Sequence, residues 1–334
     1  MFRTYKYRIY PTEEQEALMN DLLWAACWLY NRALEHRRKR WYESRHSVTF
    51  QEQANLWKQW RNEDPEENQL QILGAHAGQR VLRKLNQVYS EFMKGNRGYP
   101  RFKSVKRYNS IMLTNHHGAS LKDKKLHLQN IGEIPIRWSR DLPPNNTLKS
   151  FILVRKPSGW YILLQIELPE PCPEPSMLPT VIITLTADGA LSLSDGITFK
   201  IPMYLEQSLQ ELRILHRTIV RRKFGSNRWK KTVHQYAKLH EHISNQRRDW
   251  WHKTTEYLVN HYGTIILKGV SVESLLADPA HSNRLIYDRG QGIFLELLTY
   301  KAMEAGCQVQ GLINITTKRA GGQPTDDNVS ECCA

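Results

Sequence analysis

Residues 180–200, TVIITLTADGALSLSDGITFK, restrict the folds open to this chain more than any other stretch. Val181, Ile183 and Leu185 alternate with Ile182, Thr184 and Thr186, the period of two expected of a strand with one buried face. Asp188-Gly189 and Asp195-Gly196 fall where hairpins turn, because glycine adopts the positive φ such turns need. Three short strands in a meander are therefore predicted. Helix, strand, helix and strand follow them in the pattern downstream.

The 334 residues leave room for two or three domains. The chain carries 47 Lys and Arg against 33 Asp and Glu, a net charge of +14, which favours a polyanionic partner, nucleic acid before anionic membrane. A generally basic soluble protein would show the same balance. No long uncharged apolar window predicts a membrane span. The opening MFRTYKYRIYPTEEQ has no apolar signal region. A cytoplasmic protein, associated with the bacterial nucleoid, is expected. Cys27, Cys172, Cys307, Cys332 and Cys333 form no CxxC pair, so neither a zinc site nor a disulfide framework is expected.

In chain order, residues 2–10 alternate as a strand with one basic face. Thr12 and Gln15 form a capping box that starts a helix with the stripe Leu18, Leu22, Ala25, Leu29. Trp24 and Trp28 read as core packing. The run Arg37-Arg38-Lys39-Arg40 fits a solvated face or a phosphate contact. Residues 62–68 read as an acidic surface loop, and helix resumes over 69–93 on Leu73, Ala77, Val81, Leu85 and Val88. Its other face shows His76, Gln79, Arg80 and Arg83, types that reach base edges or phosphates; a plain polar face is the alternative. Next comes KGNRGYPRFKSVKR, in which Lys94, Arg97, Arg101, Lys103, Lys106 and Arg107 interleave with Tyr99 and Phe102 and no acid occurs. Cations alternating with aromatics suit a nucleic-acid backbone with stacked bases. Residues 110–168 read as β-structure, with 124–129, 150–154 and 160–168 as the clearest strands and Pro157-Ser158-Gly159 as a turn. Five prolines between 169 and 179 mark a stiff boundary.

After the meander, Leu205, Leu209, Leu212, Leu215 and Ile219 form one helical stripe. Val233, Tyr236, Leu239, Ile243, Trp250 and Tyr257 form another, together a helical hairpin. From Arg213 to Lys238 there are nine Lys and Arg and no acid. Arg221, Arg222, Lys223, Arg228, Lys230 and Lys231 cluster at the hairpin tip, where they can serve several phosphates or form a solvated face. Residues 264–267 read as a buried strand, 287–305 as a helix and 308–315 as a last strand.

Three segments carry a resemblance. YKYRIYPTEEQEALMNDLLWAACWLYNRAL is similar to the opening, GYPRFKSVKR to the signature before the β-domain, and NRWKKTVHQYAKLHEHISNQRRDWWHKTTEYLV to the nuclease-domain helices, of the transposon-encoded RNA-guided nucleases called TnpB, relatives of type V CRISPR effectors. The resemblance covers nearly the whole chain. It implies an α+β multidomain protein: a β-barrel wedge domain over 1–10 and 95–170, an inserted helical recognition lobe over 11–94, a Pro-rich linker over 171–179, and an RNase H-like (RuvC) α/β domain over 180–334. It also implies guide RNA as an obligate partner and double-stranded DNA as target. His76, Gln79, Arg80 and Arg83 then become candidates for reading a short motif beside the target, with Gln79 and Arg80 or Arg83 foremost.

The family places an Asp on the first nuclease strand, a Glu after the strand matching TIILKG, and an Asp near the C-terminus, which together hold two Mg²⁺ ions. Here Thr184 and Lys268 stand at the first two places, and Asp326-Asp327 is a possible remnant of the third. The family's two CxxC pairs are absent. From these departures the expectation is a nuclease domain lacking its catalytic carboxylates and zinc finger, with no zinc and no catalytic magnesium. Such a chain would not be an enzyme; it would be a guided repressor that forms R-loops without cutting. Two alternatives stay open: a residual metal-dependent endonuclease using Asp188, Asp326 or Asp327, and a guide-RNA-binding protein that does not target DNA.

Overall fold

The computed structural model describes residues 2–62, 70–169, 173–174, 176–186, 189–268 and 288–311. Two compact units emerge, one within Met1–Pro169 and one within Glu170–Ile315.

The first unit begins with β1 (Phe2–Ile9), whose Tyr5, Tyr7 and Ile9 are buried on alternate positions. Thr12 caps α1 (Glu13–Ser44) as predicted: its hydroxyl accepts from Gln15 N–H and the Gln15 side chain accepts from Thr12 N–H. Trp24 and Trp28 pack against the core. The 32 residues of α1 are followed by α2 (Phe50–Asn62) and α3 (Ala75–Met93). The single helix expected over 69–93 is instead a short 3-10 turn at Gln71–Leu73, a break at Gly74, and α3. Gly74 takes φ 61°, which glycine tolerates and a continuing helix does not. Helix α3 then buries Ala77, Val81, Leu82 and Leu85. It approaches α2 so closely that a Cβ on Gly78 would lie 2.2 Å from the buried Trp57 indole nitrogen.

Six strands follow: β2 (Ser110–Thr114), β3 (Ala119–Lys122), β4 (Lys125–Leu128), β5 (Gly132–Arg137), β6 (Thr147–Lys156) and β7 (Gly159–Glu167). With β1 they form a seven-stranded sheet ordered β2-β6-β7-β1-β5-β4-β3, antiparallel throughout. The first strand of the chain thus sits between β7 and β5, so the helices α1–α3 are an insertion between two strands, β1 and β2, of one curled sheet. The order ends at β2 and β3, whose adjoining ends are linked by one isolated bridge, Asn115 to Ala119.

The second unit is built on the predicted meander: β8 (Thr180–Leu185), β9 (Ala190–Leu193) and β10 (Thr198–Lys200). Gly189 and Gly196 take φ 86° and 90° at the two turns. The Thr186 hydroxyl donates to Ala190 C=O and accepts from its N–H, closing the first turn. Next come α4 (Tyr204–Gln207), α5 (Leu209–Arg221), α6 (Asn227–His261), β11 (Thr264–Lys268), α7 (Gln291–Ala305) and β12 (Gln308–Gln310). The sheet order is β10-β9-β8-β11-β12, with β8, β11 and β12 mutually parallel. A meander followed by two parallel strands, each reached through helix, is the element order predicted from the sequence pattern.

Two expectations shift here. The stripe from Leu205 to Ile219 is broken at Ser208 into α4 and α5, and only Leu212 of α5 is fully buried. The helix expected from 287 starts at 291, because Gly290 is left-handed; Phe294, Leu297, Leu298 and Ala302 face the core as predicted. Within the Pro-rich segment, Ser176 N–H donates to Gly306 C=O, and Pro179 C=O accepts from Gly263 N–H. Among the described residues no helix is long and apolar enough to cross a membrane.

Candidate nucleic-acid interface

In the first unit the basic loop after α3 is pinned by α1. The Asn31 amide clamps the backbone of Lys103 from both sides: Oδ1 accepts from Lys103 N–H and Nδ2 donates to Lys103 C=O, each at 2.8 Å. Cys27 Sγ donates to the same carbonyl at 3.3 Å. An asparagine inside a helix thus does the work of a neighbouring strand, satisfying a loop backbone that has no ladder partner. The Lys103 ammonium lies over the rings of Tyr30 and Tyr108, 4.2 and 5.4 Å from their centroids. Burial, and after it the nearby Lys84, pulls its pKa below the ordinary lysine value. A 3-10 turn at Val105–Arg107, closed by Arg107 N–H to Ser104 C=O, turns the chain towards β2. Between this turn and α3 lies a cavity of about 470 Å³ whose walls include Lys84, Phe102, Lys103, Ser104, Arg107 and Tyr108. Lys94, Arg97, Arg101, Lys106 and Arg107 are exposed along the loop.

Not all of the predicted cations are free for a ligand. Arg37, read from sequence as part of a surface run, is buried. Its Nε donates to Gln53 Oε1 at 2.8 Å and its Nη2 to Asn86 Oδ1 at 2.9 Å, and its guanidinium lies over Tyr89. It ties α1 to α2 and α3, and a run of like charges gives no sign that one member turns inward. Its neighbour Arg38 lies over Phe102. On α3, His76 stacks on His117 at 4.3 Å, Arg80 Nε donates to Thr114 Oγ1 at 3.1 Å, and Arg83 covers Phe50. His76 and Arg83 are exposed and Gln79 and Arg80 half-buried, so the four share a surface, with three of them also bracing neighbouring elements.

In the second unit α5 and α6 form the predicted hairpin. Ser226 caps α6 through Trp229 N–H. Arg222 turns inward, donating to Arg228 C=O and to Thr232 Oγ1, and so closes the tip. Arg221, Lys223, Arg228, Lys230 and Lys231 remain exposed, with Phe224 packed on Trp229 among them.

The sheet of this unit brings Thr184 and Lys268 side by side: they are partners in the parallel β8–β11 register. Both are exposed, on the face opposite the buried Val181, Ile183, Ile265 and Leu267. A hydroxyl beside an ammonium does not suit a divalent cation: the ammonium repels it, and the pair offers no carboxylate. Asp195 is committed to its turn, accepting from Ile197 N–H and from the Tyr262 hydroxyl; the Tyr262 bond first, then the backbone bond, hold its pKa below the usual value. The other candidate carboxylates, Asp188, Asp326 and Asp327, and the thiols Cys172, Cys332 and Cys333 lie outside the described residues. Cys27 and Cys307 are buried free thiols.

Comparison with known proteins agrees with the predicted resemblance. Residues 1–46, which are β1 and α1 with the chain around them, match the family model HTH_OrfB_IS605, described as a helix-turn-helix domain. Residues 183–277 match OrfB_IS605, described as "Probable transposase". The chain is 27% identical over 301 residues to a "Putative RNA-guided DNA endonuclease" of Streptomyces pristinaespiralis, covering 90% of this chain and 74% of that one. It is 24% identical over 321 residues to "Putative RNA-guided DNA endonuclease InsQ" of Escherichia coli (strain K12), covering 92% and 79%. The fold is similar to that of the protein in the Cas12f1-sgRNA-target DNA complex, with a TM-score of 0.56 at 11% identity over 93% of this chain and 88% of that one.

One expectation is overturned by these relatives. The reading of the chain as no enzyme rested on Thr184, Lys268 and the missing CxxC pairs, and both relatives matched over most of its length are named as DNA endonucleases. Two replaced positions do not decide the point physically, because a metal site is an assembly of several ligands and three candidate carboxylates lie elsewhere in the sequence. By its two model matches and its named relatives, the chain is similar to proteins of the IS605 OrfB (TnpB) type.

Proposed function

We propose that this chain binds a guide RNA and is directed by it to double-stranded DNA beside a short flanking motif, where it forms an R-loop. The observation that carries the reading is the loop of 94–107. Six cations are interleaved with aromatics, its backbone is fixed by Asn31, and it opens onto a cavity with three cations and no carboxylate in its lining. A merely solvated basic segment needs neither the clamp nor the cavity. The relatives' endonuclease names support the same direction of function, and the chain cleaves the DNA to which it is guided. Its carboxylates would come from positions other than Thr184 and Lys268. Base pairing would carry sequence specificity, and the protein would read duplex shape and the flanking motif, with Gln79, Arg80 and Arg83 as the residues for that motif.

The test is to sequence the RNA that co-purifies with the chain, then offer the complex DNA matched to it beside a randomised flank, with Mg²⁺. Guide-dependent binding with a flank preference is expected, together with a cut that EDTA abolishes. A reporter gene carrying the target measures how far occupancy also represses transcription. Binding that ignores the RNA sequence would overturn the guided reading. Guided binding with no product at any metal concentration would overturn its cleavage half.

A further inference from the structure

The cavity between α3 and residues 102–110 combines features that a polyanion's backbone alone does not require. Three cations, Lys84, Lys103 and Arg107, contribute to its lining with no carboxylate among the residues around it. Lys103 is held there against its own burial and against Lys84, both of which disfavour its charge. Two ammonium groups brought together without an anion form a site whose repulsion a phosphate would relieve. At the rim stands Phe102, 50% exposed, its ring covered only in part by the Arg38 guanidinium. An aromatic so exposed next to a cationic hollow is placed to stack on a base while the cations hold that base's phosphate. The Ser104 hydroxyl adds a small polar group to the wall. The walls are rigid: Asn31 fixes Lys103, the 3-10 turn fixes Arg107, and Tyr108 is buried.

We propose that this cavity is a pocket for one unstacked nucleotide of single-stranded RNA, with its phosphate at Lys84 and Arg107, its base on Phe102 and its 2′-hydroxyl at Ser104. A base inside a duplex is already stacked on both faces and cannot offer one to Phe102, so the pocket selects an unpaired nucleotide. The hydroxyl in the wall favours ribose over deoxyribose. The inference rests on the guide-RNA reading above and adds to it a defined position where the RNA must leave its helix.

The test compares the full chain with Phe102→Leu, Phe102→Tyr, Lys84→Met and Ser104→Ala. The probes are a short unstructured RNA, DNA of the same sequence, and the corresponding RNA duplex, each measured by filter binding across a salt series. Phe102 and Lys84 are exposed, so the variants are expected to fold, which circular dichroism checks. Phe102→Leu is expected to weaken binding of the RNA strand by about fivefold or more, with a much smaller effect on the duplex, and Phe102→Tyr to restore it. Lys84→Met is expected to lower the salt slope for the RNA strand by about 0.7. Ser104→Ala is expected to narrow the preference for RNA over DNA. If Phe102→Leu binds the RNA strand like the unmodified chain, the pocket is not a nucleotide site, while RNA binding by the chain, and with it the guided reading, stands. If the DNA strand binds as well as the RNA strand and responds equally to Phe102→Leu, the RNA assignment is overturned. If the unmodified chain binds no RNA at all, both the pocket and the guided reading fall.

Discussion

Replacing Asn31 by Ala removes both hydrogen bonds that hold the Lys103 backbone and touches nothing else in the loop. Each is 2.8 Å long and partly buried, and a bond of this kind contributes about 0.5–1.5 kcal/mol net. The pair therefore contributes about 1–3 kcal/mol. Two effects reduce the loss. Alanine is a better helix former than asparagine inside α1, by roughly 0.6 kcal/mol. The Lys103 carbonyl also keeps its contact with Cys27 Sγ. A net loss of about 1–2 kcal/mol is expected. It should appear first as local opening, because Lys103 is only half-buried and its freed groups can reach water.

Amide hydrogen exchange reads this directly. Protection of the Lys103 N–H is expected to fall about tenfold, since 1.4 kcal/mol corresponds to a factor of ten in an opening equilibrium. Affinity for RNA should fall with it, because the walls of the cavity lose their anchor. Asn55→Ala, at an exposed site on α2, serves as the control for an asparagine-to-alanine change in a helix. Unchanged protection at Lys103 together with unchanged RNA affinity would refute the clamp.

Four further outcomes are expected. Arg37→Met leaves the Gln53 and Asn86 side-chain oxygens without their shared donor; a loss of about 3 kcal/mol in urea unfolding is expected, and a loss under about 0.5 would refute the buried network. Gly78→Ala gains about 1 kcal/mol in helix propensity but drives a methyl group to within 2.2 Å of the Trp57 indole, so a net destabilisation of about 2 kcal/mol is expected, and a stabilised variant would show that α2 and α3 stand further apart. The Glu52 carboxylate accepts from the Thr49 N–H, from His46 and from the Thr49 hydroxyl, bonds that pull its pKa from 4.5 to about 2; its contribution to the start of α2 is therefore present above about pH 4.5 and lost as pH falls through 2, which carboxylate NMR titration checks against a Thr49→Ala variant. Removing charge at Arg221, Lys230 and Lys231 together is expected to flatten the salt dependence of RNA binding by up to about 0.7 per residue, and an unchanged slope would make them a solvated face.

What could be read from the sequence was what local chemistry decides. The meander at 180–200 was legible because its alternation, its two glycines and its turn lengths all agree within one short span. The Thr12–Gln15 cap was legible for the same reason. The limits of helices were less so: Gly74, Ser208 and Gly290 end or interrupt patterns whose apolar spacing runs straight through them, and spacing carries no information about φ. The insertion of α1–α3 between two strands of one sheet could be stated from sequence only through the family resemblance. No local signal says that β1 pairs with β7, more than 150 residues away.

The candidate site shows why composition finds a surface before it finds a pocket. The cations of 94–107 were visible at once, because charge and aromatic interleaving are properties of a stretch. What turns that stretch into a site is not in the stretch. Asn31, 72 residues earlier, fixes its backbone, and Lys84, on another helix, faces Lys103. Both residue types are ordinary on helices, so neither stands out before the fold is known. The same reasoning separates Arg37 from Arg38. Adjacent in sequence, they point about 100° apart on a helix, one into a buried network with Gln53 and Asn86, the other onto the exposed ring of Phe102. A helical period could have assigned Arg37 to the inner face, since it lies three and four residues beyond the buried Leu34 and Ala33. The charge run hid it, because a cation is buried only where partners exist, and those partners come from two other helices. Function at this site therefore depends on pairings made by the fold: an amide on α1 that shapes a loop, and a lysine on α3 that completes its charge.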